Sequence, residues 1–121
     1  MPLESNLKDL IDISSDATDA QTLDKVTDQL ETFINVLKEQ EKISIRELRL
    51  CQQYGFNLFN IYLNKEEALL IDDINMSIAI CWLREKACQM ICMAYNHHDK
   101  LSFKDSEMLI KTCMRTAHHF Y

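Results

Sequence analysis

One glycine and one proline are the chain's whole supply of the two residues that punctuate a fold. Sandwiches and barrels need many tight turns that draw on both, so an all-β architecture is excluded. Nucleotide-binding α/β folds are excluded on the same ground, because their phosphate loops are glycine-rich. No uninterrupted apolar run approaches the roughly 20 residues of a membrane-spanning helix, so no membrane span is expected. A disordered tail is equally excluded, since 47% of the 121 side chains are apolar and such a share fills one core.

Basic charge is also short. The formal charge is −6, and it is unevenly placed. Residues 1–42 hold ten Asp and Glu against four Lys and Arg, while residues 43–121 hold nine of each. Phosphate-backbone binding depends on Lys and Arg, so nucleic acid is not an expected partner. A partner protein with a basic segment suits the acidic first third better. The opening residues lack the basic and apolar regions of a secretory signal. Five cysteines without a signal imply reduced thiols and a cytoplasmic setting.

What is present is periodic. The spacing predicts a first helix over 3–13, loosely attached, with Pro2 at its start and Leu3, Leu7, Leu10 and Ile11 on one side. The polar stretch 14–19 reads as a break. A second helix is expected over 19–40, where Leu23, Val26, Leu30, Phe33 and Leu37 share a seam, with Asp24, Asp28, Glu31 and Glu39 away from it. Ser44 and Glu47 form a capping box opening a third helix over 44–63, with Leu48, Cys51, Leu58, Phe59 and Tyr62 inward. Gly55 inside it costs roughly 1 kcal/mol against Ala, which implies a close helix crossing or a kink.

Asn64 with Glu67 is expected to cap a fourth helix over 65–97, interruptible at Asp72-Asp73. Ile71, Ile74, Ile78, Cys81, Cys88, Cys92 and Tyr95 form one apolar stripe on it. Met76, Ile80, Leu83, Ala87, Met90, Ile91 and Ala94 form a second. Apolar over so much of its circumference, it should be the central, mostly buried helix. Ser102 with Asp105 opens a fifth over 103–119, with Phe103, Ile110, Cys113, Ala117 and Phe120 inward. Short connections favour antiparallel neighbours. The expected fold is all-α, a compact antiparallel bundle of four to five helices forming a single domain over 1–121.

Candidate chemistry is sparse. Cys81, Cys88 and Cys92 follow helical core spacing rather than the tight pairs of structural zinc sites, so they are expected to be buried and slow to react. The pairs His97/His98 and His118/His119 close consecutive helices, about 24 Å apart along a helix of that length, too far to share a metal. They are read as partners of helix C-terminal dipoles. With no Gly-flanked nucleophile and no Glu-x-x-His pair, no catalytic residue, metal or cofactor is expected, and the chain reads as a non-enzyme.

Trp82 is the most informative single residue. It lies at the border of the fourth helix's polar stripe, with Lys86 and Gln89 beside it and Met93 further along the same line. Tryptophan is a preferred interface anchor. The leading expectation is therefore an interaction module, an adaptor or regulatory subunit. It would bind through Trp82, Met93, Lys86 and Gln89 and through the acidic face of Asp24, Asp28 and Glu31. A second reading is a bundle binding a small ligand, haem or metal through Cys, His and the aromatic residues Phe56, Phe59 and Tyr62. A third is a homodimer, with the seam of the second helix completed by another copy.

Overall fold

The helices begin where their cap signals stand. The computed structural model describes residues 2–68 and 73–120, which form five α-helices and no strand. They are α1 (Pro2–Asp16), α2 (Ala20–Glu39), α3 (Ile45–Ala68), α4 (Ile74–Asn96) and α5 (Phe103–Phe120). A short 3₁₀ turn, His98–Lys100, precedes α5. Ile71 and Asp72 lie outside the described residues, as do the side chains of Leu3, His119 and Phe120. No helix among the described residues is long and apolar enough to cross a membrane.

The capping box at α3 forms in both directions. The Glu47 amide donates to Ser44 Oγ at 3.1 Å, and the Ser44 amide donates to Glu47 Oε1 at 2.9 Å. Partial burial works against the carboxylate, but the Ser44 bonds prevail and hold Glu47 below its ordinary pKa. The Asp105 amide likewise donates to Ser102 Oγ ahead of α5. Helix α1 runs past the expected break because Ser14 is accommodated inside it: its buried hydroxyl donates to the Leu10 carbonyl at 2.7 Å. Asp19, whose carboxylate accepts from the Thr22 amide, then caps α2.

The boundary between α3 and α4 departs from expectation. Asn64 and Glu67 belong to α3 and do not cap α4. The good helix formers Lys65, Glu66, Glu67 and Ala68 carry α3 onward. The cap of α4 is Asp73, whose Oδ1 accepts from the Met76 amide at 3.0 Å. The seam of α2 also shifts slightly, since Ile34 is buried and Phe33 only half so.

The central pair is α3 with α4. They run antiparallel, with Cys51 beside Met93 at one end and Tyr62 under Arg84 at the other. Helix α2 packs on α4 in the same direction, bringing Asp24 level with Trp82, Glu31 with Lys86 and Leu37 with Met93. Helix α1 packs on α3 and α2, and Leu7 and Leu10 are buried there. Lys65 Nζ of α3 donates to the Ser15 and Ala17 carbonyls, at 3.3 and 2.7 Å. That ammonium satisfies carbonyls left open at the C-terminal end of α1. Consecutive helices thus alternate in direction, and the link from α2 to α3 crosses a diagonal.

On the far side of the α3–α4 pair stands α5. It packs on both: on α3, Arg49 meets Asp105 at 2.8 Å and Arg115 sits 5.3 Å from the centre of the Phe56 ring, and on α4, Cys113 neighbours Cys92. Among its described side chains, Leu109 and Thr112 are buried. Phe103, Ile110 and Ala117, expected inward, are exposed, and Phe103 is 86% so. The inward face is displaced because α5 meets its neighbours chiefly through Leu109 and Thr112, leaving part of its apolar surface uncovered.

Gly55 marks the close crossing. A Cβ there would stand 3.0 Å from Ile91 Cγ1, 3.1 Å from Met90 Cβ and 3.2 Å from the Ala87 carbonyl oxygen. Two of those three atoms cannot swing aside. Alanine would gain about 1 kcal/mol in helix propensity, but overpacking a core typically costs about 1–3 kcal/mol. Gly55→Ala is therefore expected to lower stability by up to roughly 2 kcal/mol, read as a fall of up to several degrees in Tm. A rise in Tm would show that the two helices can part at no cost.

Candidate interaction face

Helix α4 is sandwiched unevenly. Met76, Ala79, Ile80, Leu83, Ala87, Met90, Ile91 and Ala94 are buried against α2 and α3. Its other apolar stripe has no such cover. Ile74, Ile78, Cys81, Cys92 and Tyr95 are all exposed, and Cys88 is half-buried. The expectation that Cys81 and Cys92 are core residues is thus overturned. The 3–4 spacing is real, but α5 meets α4 over a limited area, with Cys113 beside Cys92, and leaves most of the stripe open.

The five cysteines are free thiols in different settings. Cys51 is buried in the α3–α4 interface, where desolvation pushes its thiol up to about 12. Burial also raises the thiols of Cys88 and Cys113, and each is raised further by the neighbouring Cys92. Among the described residues, no group of three or more His, Cys, Asp or Glu side chains is placed to hold a metal. Phe59 and Tyr62, considered for ligand contact, are buried with their rings 5.5 Å apart. Phe56 is half-buried, and its ring faces Arg115. His98 binds the Tyr95 carbonyl at 2.9 Å through Nδ1, as a residue closing a helix does.

Trp82 stands where two depressions meet. On one side is a shallow groove of about 680 Å³ along α4, walled by Ile78, Cys81, Cys88 and Cys92. Arg84 closes part of its rim, and its guanidinium lies over the Tyr62 ring at 5.6 Å. On the other side is a polar hollow of about 540 Å³ between α2 and α4. Asp24, Asp28, Glu31 and Glu85 line this hollow, with Trp82, Lys86 and Gln89 completing it. The indole is 49% exposed and belongs to both walls.

The residues singled out from the sequence fall into two groups. Trp82, Gln89, Asp24, Asp28 and Glu31 gather around the hollow, and the three acidic side chains are exposed. Met93 and Lys86 do not reach the surface. Met93 is 7% exposed, beneath Leu37 and against Cys51. Lys86 is 6% exposed, with Nζ 3.8 Å from Glu31 Oε1. Its stem is covered by α2, and Glu31 offsets its charge. Sequence reasoning missed Ile74, Ile78, Cys81 and Cys92 as surface residues. Comparison of the chain with protein-family models, curated proteins and solved structures finds no match.

Exposure now sets the thiol chemistry. Without denaturant, a thiol reagent should label Cys81 and Cys92 first and Cys88 and Cys113 more slowly, and Cys51 only on unfolding. Peptide mapping after a timed pulse reads that order. Labelling of Cys51 as fast as Cys81 would mean that the α3–α4 interface opens readily.

Proposed function

We propose that the protein is a helical interaction module, an adaptor or regulatory subunit, that binds a partner protein across the exposed face of α4. One observation carries this reading: an apolar stripe at helical spacing from Ile74 to Tyr95, interrupted at Arg84 and Glu85, that the described helices leave largely uncovered. Apolar stripes on helices normally serve to be covered. Scattered exposed apolar residues need no explanation, but an apolar row beside a half-exposed tryptophan, broken only at Arg84 and Glu85, marks a contact surface. The acidic edge supplied by α2 would set the orientation and rate of encounter rather than the bulk of the affinity.

A photo-reactive residue in place of Ile78 tests where the partner sits, with the same residue at exposed Asp12 of α1 as control. A discrete adduct is expected from position 78 and none from position 12. For the captured partner, Trp82→Ala should cost about 2 kcal/mol of binding, roughly 30-fold in Kd, at every ionic strength. Charge reversal at Asp24 and Asp28 should matter mainly at low salt, because exposed charges are screened beyond about 8 Å at physiological ionic strength. If Trp82→Ala melts several degrees lower yet binds as before, Trp82 is a packing residue and the interface lies elsewhere.

A further inference from the structure

The interaction face has two chemistries side by side, and together they specify its occupant. The groove is largely apolar, with Arg84 and Glu85 in its walls, and it is straight because it follows one helix. From Ile78 to Cys92 it extends about 21 Å at the helical rise of 1.5 Å per residue, which matches four turns of a second helix. The hollow on the other side of Trp82 is acidic. Four carboxylates face one ammonium there, and that ammonium is buried and paired with Glu31. The remaining carboxylates have charge to offer a visitor, and the indole between them and the groove offers a π-face that favours cations.

We propose, resting on the interaction-module reading, that the partner presents a cationic amphipathic helix. Its apolar stripe lies in the groove between Ile78 and Cys92, and its Lys or Arg side chains cross Trp82 into the hollow of Asp24, Asp28, Glu31 and Glu85. A helix laid in a groove is anchored by residues at i, i+3, i+4 and i+7, and its basic flank then falls on one side only. The acidic hollow borders one edge of the groove, so charge fixes which way round the helix docks. A second copy of this chain suits the face less well. A two-fold contact centred on Trp82 brings the four carboxylates of one protomer toward those of the other, and each protomer carries a formal charge of −6.

Trp82 is the chain's sole tryptophan, so its fluorescence reports the site directly. The probes are tryptophan-free helices of about 18 residues, roughly 27 Å long, that share one leucine stripe. Their polar flanks are Lys, Gln or Glu, and a scrambled Lys peptide has the same composition without the stripe. The Lys helix should bind at least about tenfold tighter than the Gln helix, and the Glu helix should bind weakest. The scrambled peptide should bind no better than the Gln helix. Asp24→Lys with Asp28→Lys should close the gap between Lys and Gln helices, as should raised salt. Equal binding of the Lys and Gln helices would overturn the cationic partner while leaving the docking face standing. Equal binding of the ordered and scrambled Lys peptides would reduce the effect to bulk attraction and overturn the proposal. No response of Trp82 to any peptide would overturn the docking face as well. A dimer in sedimentation that Trp82→Ala dissociates would assign the face to a second copy instead.

Discussion

Everything in this bundle is arranged around one close approach, the crossing of α3 over α4 at Gly55. Without a side chain there, the α3 backbone comes down onto Ala87, Met90 and Ile91, and the two helices share their most extensive interface. That contact draws Leu48, Cys51 and Leu58 into full burial on one helix and Leu83, Ala87 and Met90 on the other. The remaining elements are layered on this pair. Helices α1 and α2 cover one side together, and α5 covers part of the other.

The asymmetry of those layers leaves the α4 stripe exposed. Two helices against one side give α4 a closed flank, sealed by Leu23, Leu30 and Leu37 of α2. A single helix on the other side cannot close both members of the pair. It packs on both, and its polar ties to α3 include the Arg49–Asp105 ion pair and the Gln52 side-chain bond to the Asp105 carbonyl. Its contact with α4 is limited in extent, and most of the row from Ile74 to Tyr95 stays open.

Local signals were legible in the sequence, and coverage was not. The Ser44–Glu47 box, the Ser102 cap and the apolar seam of α2 depend on residues within a turn or two of each other, so the chain spells them out. The end of α3 was misplaced because Asn64 looks like a cap, while the residues after it favour helix more strongly than Asn64 interrupts it. Trp82 and Met93 occupy nearly the same angle around α4, yet one is half-exposed and the other buried. The difference lies in what α2 brings to each level: Asp24 and Asp28 beside Trp82, Leu37 beside Met93. Periodicity reports that a face is apolar. It carries no information on whether the fold has a helix left to place over it, so the spacing of the α4 stripe does not by itself show whether it is covered.

The diagonal link between α2 and α3 bears on how the chain acquires this shape. Helices α1 and α2 adjoin as sequence neighbours, and so do α3 and α4, so each hairpin closes through short-range contacts. The parallel pairs, α2 on α4 and α1 on α3, join residues some 50 positions apart, as Lys65 is joined to Ser15. Closing loops of that length carries an entropic cost that local turns do not. The topology predicts an order of assembly in which the two hairpins form rapidly and their docking across the diagonal is the slow step.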